Sequence, residues 1–454
     1  MSPLSIVILA AGQGKRMCSS HPKVLQCLAG EPMLARVVHT GWSLAPERLV
    51  VVCGHDKLQI QNAIQDEKVV WVEQDEQLGT GHALKTALGA LPTQGTTLVL
   101  YGDVPLIQKS SLETLLHAAA GSVALLTRSL ADPSGYGRVV RKEDGSIVCI
   151  VEDQDCTPAQ RQINEISTGI LALPSTHLAG WLEAIKRNNA QGEYYLTAII
   201  DLAVRSGFNV ASTTVTAPYE AVGVNDKVQL AQLERLYQSE QALLLLRQGV
   251  TLHDPARIDI RGILSCGRDV SIDINCVFEG RVVLGDNVKI GANCILKNVN
   301  LAADSHVAPF SLLEGAEIAS HGSVGPFARL RPGTKLAEHA RVGNFVEVKN
   351  STLGARSKVN HLSYIGDARI GAQVNVGAGC VTANYNGVDK FCTVIEDNVF
   401  VGSGTMMVAP VTLQAGATIG AGSVINKTAP AGQLSVARAR QISLSNWQRP
   451  QKKS

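Results

Sequence analysis

Two groups of chemistry-bearing residues stand out in the sequence: a cationic, glycine-rich stretch near the amino terminus and a set of polar side chains in the carboxy-terminal half. Residues 5–9 (SIVIL) read as an apolar strand that runs into AAGQGKRM, with HPKVL from His21 soon after. A strand entering such a loop presents backbone N–H groups to phosphate oxygens. Gly12 and Gly14 allow the close approach, and Arg16 and Lys23 bring positive charge to the same place. It is not the dinucleotide-binding fingerprint, because Lys15, Arg16 and Met17 follow where a third glycine would stand. Asp103 closes TLVLYGD, where a carboxylate serves equally as a Mg2+ ligand beside a triphosphate or as a helix N-cap. In the second half, Arg331 in ARLRPG and Lys349 in VEVKNS suit a sugar phosphate. His361 in HLSYIGDA suits taking the proton of an amine as it attacks a thioester, whereas His306, His321 and His339 read as solvated corners.

The elements that must position the first group alternate between strand and helix. LVVVCG, VVWVEQ, TLVLYGD, VALLT and TGILAL read as strands with helical stretches between them, which predicts a mostly parallel sheet with its ligands at the carboxyl ends of the strands. QLGTGHA (77–83), YGDVPL (101–106) and GVN (223–225) fall where those ends should be. Residues 228–247 carry apolar side chains at helical spacing without Gly or Pro, predicting one long helix in place of a coiled-coil seam.

The second group lies in a stretch with a different rhythm, in which aliphatic residues recur at every sixth position. Leu284, Ile290 and Leu296 form one run, and Ile318, Val324, Leu330, Leu336, Val342 and Val348 a longer one. Ile370 and Val376, Ile395 and Val401, then Leu413, Ile419 and Ile425 continue it, each usually followed by a small residue. A period of six fits neither a lone helix nor strand alternation; it is the hexapeptide signature of a parallel β-helix. Three short strands would make a coil, coils would stack at ~4.8 Å, and residues 252–433 would supply about ten of them. A β-sandwich would space its turns irregularly. The 4% aromatic content agrees with a thin prism lined by Val, Ile and Leu.

Composition bounds the rest. A chain of 454 residues is too long for one core. A net charge of +2 with 18% charged residues argues against a dominant nucleic-acid or membrane-surface role. No apolar run approaches the ~20 residues that span a bilayer, and no basic segment precedes the first apolar strand, so a cytoplasmic protein without a transmembrane segment is expected. The ten cysteines are scattered singly; Cys276, Cys294, Cys380 and Cys392 fall in or near repeat positions and read as packing thiols.

Taken in order, LAAGQGKRM, PKVL, QLGTGHA, YGDVPL, DPSGYGRV, GEYYLT and GVN resemble the uridylyltransferase half of the bacterial GlmU family. Its members join N-acetylglucosamine-1-phosphate uridylyltransferase and glucosamine-1-phosphate N-acetyltransferase activities, and HLSYIGDA followed by NYNG resembles their acetyltransferase signature. The resemblance spans essentially the whole chain. It implies a Rossmann-like α/β nucleotidyltransferase domain over 1–227, a helical linker over 228–248, and a left-handed parallel β-helix with a tail over 249–454. The left hand comes from the resemblance alone, since the general crossover rule favours the right.

The resemblance also implies roles. Leu9, Ala10, Ala11 and Gly12 would hold the nucleotide, with Arg16 and Lys23 on the triphosphate as catalytic cations. Gln74, Gly79 and Thr80 would read the uracil, with Tyr101 and Gly102 alongside. Asp103 and Asn225 would bind Mg2+, which decides between the two readings of Asp103, and Gly137, Glu152 and Ser167 would face the amino sugar. In the acetyltransferase, His361 would be the base, with Arg331, Lys349, Tyr364, Asn375 and Lys390 around glucosamine 1-phosphate. Ala378, Asn384, Tyr385, Ser403, Ala421 and Arg438 would line the acetyl-CoA site. Acetyl-CoA and UTP are the implied co-substrates and a homotrimer the implied assembly. The chain departs from the family at Ser167 (usually Asn), Ala198 (often Asp), Lys15 (usually Thr) and Gly404 (commonly Asp or Asn). The rival expectations are a single-activity pyrophosphorylase with a structural or regulatory hexapeptide domain, and an inactive sugar-binding domain fused to a trimerisation module. The polar tail from Arg438 is expected to be loosely ordered near its end.

Overall fold

The chain forms two compact units, Met1–Tyr237 and Gln238–Ser454. The structure is a computed structural model and describes residues 3–215, 217 and 219–452; the last two positions of the expected loose tail, Lys453 and Ser454, lie outside the described residues.

In the first unit the apolar runs become strands because their side chains are buried on both faces. Along Leu4–Ala10, Ile6 and Ile8 pack on one face of the sheet, and Val7 and Leu9 on the other. The sheet runs in the order Val210–Thr214, Val123–Ser129, Glu165–Pro174, Thr96–Tyr101, Leu4–Ala10, Arg48–Cys53, Val70–Glu73. Four neighbours, from Thr96–Tyr101 to Val70–Glu73, are mutually parallel. Glu165–Pro174 runs antiparallel to both of its neighbours and carries the hairpin of Arg138–Arg141 and Ile147–Val151. The sheet is therefore mostly parallel, as expected, with Glu165–Pro174 and the hairpin strand Ile147–Val151 reversed. Helices Met33–Ser43 and Lys109–Ala119 cover the Ile6 face; Thr80–Ala87, Ser175–Ala184 and Ala198–Arg205 cover the Val7 face. The parallel strands end along one edge, which opens into loops where a ligand can be held.

Helix Lys227–Arg247 spans the stretch with helical spacing. Leu233 is buried with Met17, Leu28 and Met33 in the first unit, and Ala242 and Leu245 in the core of the second, so the division falls inside the helix.

The second unit is a left-handed parallel β-helix. One sheet contains eleven parallel strands, one per coil, and a seventeen-stranded sheet supplies the rest. Residues on consecutive coils lie 17 or 18 positions apart, as in Asn275 to Asn293 and Asn287 to Asp304. Every aliphatic residue of the six-residue rhythm, from Leu284 to Ile425, is between 0% and 5% exposed. The core is thus one column of Val, Ile and Leu whose burial is the main stabilising term.

Corners need left-handed backbone. Phe310, Phe327, Phe345 and Leu362 occupy one corner on successive coils with φ between 50° and 60°. Their Phe rings stack with centroids 5.0 and 5.3 Å apart, contributing about 1 kcal/mol per pair. That is of the order needed to offset one non-glycine residue in this region. His321 and His339 stack likewise at 4.6 Å, a contact that the solvated-corner reading did not include. Cys276, Cys294 and Cys380 are buried packing thiols and Cys392 is half-buried, with no disulfide among them.

The regular step breaks once near the far end. Asn375 pairs with Phe400 and Ala368 with Thr393, and the extra residues form a projecting loop in which Tyr385 and Lys390 bridge.

Candidate functional site

The loop after Leu4–Ala10 opens a cleft of about 650 Å3, lined by Leu9, Ala10, Ala11, Gly12, Arg16, Lys23, Gln74, Gly79, Thr80, Tyr101, Asp103 and Asn225. Gly14 sits at φ 60°, and a Cβ there would stand 2.6 Å from Lys23 Cβ, so glycine is what lets Lys23 lie against the loop. Lys23 Nζ is ion-paired with Asp103 and donates to Asn225 Oδ1 at 3.1 Å. Two oxygen donors more than a hundred positions apart in the chain therefore converge on one cation. A carboxylate and an amide oxygen are hard donors of the kind Mg2+ takes when water and substrate phosphates complete its shell. The N-cap reading of Asp103 fails, because the next helix starts at Lys109 with Gln108 as its N-cap. Lys15 also lines the cleft and adds a third cation.

Gly102 does not line the cleft; it is packed against Ala10, Leu34 and Val24, and its N–H donates to Leu9 O at 2.9 Å, fixing the strand ends. Gln74 is buried with its amide nitrogen 2.9 Å from His82 Nδ1. Gly79 (φ 110°) passes so close to Tyr194 that a Cβ would lie 2.7 Å from its carbonyl oxygen. Gly81 N–H donates to that oxygen at 2.7 Å and Leu196 N–H to Thr80 Oγ1 at 3.1 Å. GEYYLT is thus clamped onto QLGTGHA.

A second cavity of about 270 Å3 shares Thr80 and Tyr101 with the first and adds Gly137, Glu152 and Ser167. Burial pushes the Glu152 carboxyl above its ordinary value; the Thr197 hydroxyl, donating at 2.7 Å, pulls the other way, and Asp155 and Asp153 push it up again. Burial likewise raises the Tyr101 phenol, with Glu152 and Asp103 adding to the effect, so Tyr101 stays a protonated donor. Ser167 Oγ accepts from Gly169 N–H at 3.1 Å. Sequence reasoning missed Glu193, which lines both cavities, and Thr197, which lines the smaller one. The only signal was their place inside GEYYLT, a motif quoted without assigning its side chains.

In the β-helix the expected residues gather because coils stack. His361 ends strand Lys358–His361 and pairs with Asn344 on the preceding coil, Nδ1 lying 2.9 Å from Asn344 Oδ1. Gly379 N–H donates to His361 O, Gly404 N–H to Ala378 O, and Gly422 N–H to Ser403 O. By parallel-ladder register, Asn344, His361, Ala378, Ser403 and Ala421 form one column on five successive coils. Arg438 joins it, its Nη1 donating to Ala421 O at 2.7 Å. Gly404 has φ 71°, a conformation that glycine takes freely and that Asp and Asn tolerate, so this departure keeps the backbone path.

Beyond the corner, Arg331 donates to Glu347 Oε1 at 3.0 Å, Glu347 pairs with Tyr364, and Lys349 pairs with Gly366. Arg331, Lys349 and Tyr364 therefore share one face. The Tyr364 ring lies over Gly366, where a Cβ would meet its phenol end. Asn384, at the base of the projecting loop, donates to Asp367, which also accepts from Asn350 Nδ2 at 2.6 Å; Tyr385 and Lys390 stand exposed on the loop. Asn375 is not brought to the Tyr364 face; it lies in the eleven-stranded sheet between Lys358 and Phe400. The residue missed here is Asn344, which no motif marked.

Both units match known families. Residues 6–167 match the MobA-like NTP transferase domain, and 265–298 and 392–427 match the bacterial transferase hexapeptide (six repeats). The chain is 63% identical over 454 residues to the bifunctional protein GlmU of Chromobacterium violaceum, with 100% of both chains covered. It is 56% identical over 455 residues to that of Nitrosospira multiformis, covering 100% of this chain and 99% of the relative. A solved UDP-glucose pyrophosphorylase complexed with UDP-glucose aligns with 52% of this chain and 99% of its own at 16% identity and a TM-score of 0.45, too distant to carry an argument.

Proposed function

The chain belongs to the GlmU family of bifunctional proteins, and we propose that each of its two halves carries one reaction. It is a uridylyltransferase and an acetyltransferase of UDP-N-acetylglucosamine synthesis. Uridylyl transfer is assigned to 1–227 and acetyl transfer to 249–454, with 228–248 joining them. The observation that carries the assignment is that one chain holds both the Lys23, Asp103 and Asn225 convergence and the His361 column.

In the β-helix, His361 takes a proton from the amine of glucosamine 1-phosphate as its nitrogen attacks the thioester carbon of acetyl-CoA. The C–N bond forms, the C–S bond breaks, and coenzyme A leaves as the thiol without a covalent acyl-enzyme. Arg331 and Lys349 hold the sugar phosphate, with Tyr364 beside them and Lys390 reaching in from the projecting loop; Asn375, which lies off that face, is given no part in the sugar site. Ala378, Asn384, Tyr385, Ser403, Ala421 and Arg438 line the acetyl-CoA path.

In the first unit, an oxygen of the N-acetylglucosamine 1-phosphate phosphate attacks the α-phosphorus of UTP, and the bond to pyrophosphate breaks. No protein nucleophile is required; the backbone of Ala11 and Gly12 together with Arg16 and Lys23 carries the charge. Mg2+ held by Asp103 and Asn225 would neutralise the triphosphate and the departing pyrophosphate. Gln74, Gly79 and Thr80 face the base, with Tyr101 alongside and Gly102 fixing the strand end behind it, and Gly137, Glu152 and Ser167 face the sugar.

We assign a homotrimer because flat prism faces can pack around a threefold axis, and the cytoplasm because UTP and acetyl-CoA are made there. No described helix is long and apolar enough to cross a membrane. A single-activity pyrophosphorylase is not favoured, since the relatives are bifunctional over their full length. Thiol release from acetyl-CoA with glucosamine 1-phosphate, measured beside pyrophosphate release from UTP, tests the reading; absence of either activity contradicts it.

A further inference from the structure

We infer that Asn344 is a positioning residue for acetyl transfer: its side-chain oxygen holds the His361 proton on Nδ1 and leaves the Nε2 lone pair to act as the base. The inference rests on His361 being that base. Asn344 ends strand Arg341–Asn344 and is the register partner of His361 one coil away. Leu362 N–H donates to Asn344 O at 3.1 Å, so the ladder fixes both backbones before any substrate arrives. Across that ladder Asn344 Oδ1 stands 2.9 Å from His361 Nδ1. An amide oxygen can only accept, and a neutral imidazole has a single N–H, so a bond to this oxygen fixes which ring nitrogen is bare.

The choice of an amide has a further consequence. A carboxylate at the same place would orient the ring equally well but would stabilise the imidazolium. The amide orients the ring without adding a charge beside it.

An amide turned the other way round, with its nitrogen donating to Nδ1, would place the proton on Nε2 and disable the base at the same distance. The two arrangements separate on substitution, because Asp keeps an acceptor and loses the donor, whereas Ala loses both. The experiment uses the full-length chain and follows thiol release from acetyl-CoA with glucosamine 1-phosphate, alongside UTP-dependent pyrophosphate release. Asn344→Ala is expected to lower the acetyl-transfer kcat by about 100-fold, with both KM values within about threefold and pyrophosphate release unchanged. Asn344→Asp is expected to return kcat to within about tenfold of the parent; it also serves as the second probe should the Ala variant loosen its coil. A parent-like kcat in Asn344→Ala, or equal impairment of the Ala and Asp variants, overturns the proposal. Absence of thiol release from the parent protein itself overturns the acetyltransferase reading, and this proposal with it.

Discussion

The ammonium of Lys23 is ion-paired with the carboxylate of Asp103, and both side chains are largely withdrawn from water, 11% and 21% exposed. A cation that also bonds Asn225 places one positive charge, flanked by two oxygen donors, in the wall of the cleft. Lys23→Ala removes that charge from the phosphates and is expected to lower uridylyl transfer by at least about 100-fold, with acetyl transfer unchanged. Parallel assays of the two half-reactions on the variant check it.

The Glu152 carboxyl yields a pH dependence. Burial raises its pKa, and Asp155 and Asp153 add to that against the opposing Thr197 hydroxyl. The folded state holds the proton more tightly than the unfolded chain does. The group therefore contributes stability below the ordinary carboxylate range, and that contribution is lost as pH rises through its raised value. Glu152→Gln keeps an acceptor for Thr197 and cannot ionise. Its melting temperature should match the parent's near pH 4 and exceed it increasingly towards neutrality; a gap that stays constant or closes with rising pH contradicts the assignment.

Thiol reactivity should follow burial. Burial pushes Cys276 up to about 11 and Cys294 up to about 12, and both are buried in the β-helix core. Cys18 is exposed at the end of the glycine-rich loop. Iodoacetamide at neutral pH should therefore label Cys18 in the native protein and reach Cys276 and Cys294 only after unfolding. Peptide mapping before and after denaturation reads this directly.

The parts of the molecule that were legible in the sequence are those written in one dimension. Leu284 to Ile425 announced the β-helix because burial recurs at a fixed step, and every one of those aliphatic residues is in the core. The apolar runs ending at Ala10, Cys53 and Tyr101 announced the parallel strands for the same reason. What stayed hidden depends on stacking or on loops meeting. Asn344 and His361 touch because one coil takes seventeen residues, and nothing around Asn344 differs from an ordinary coil position. Glu193 enters the cleft because Tyr194 hydrogen-bonds the QLGTGHA loop, a contact between segments more than a hundred residues apart. The reversed direction of Glu165–Pro174 was equally invisible, since an apolar run does not record which way it pairs.

If each half of the chain carries its own chemistry, a crossed pair of substitutions separates the two. On one purified preparation each of the parent, His361→Ala and Asp103→Ala, both half-reactions are measured. His361→Ala is expected to lose acetyl transfer by at least about 100-fold and keep uridylyl transfer, while Asp103→Ala does the reverse. Loss of both activities in either folded variant, or unchanged pyrophosphate release in Asp103→Ala, would contradict the assignment of one reaction to each half.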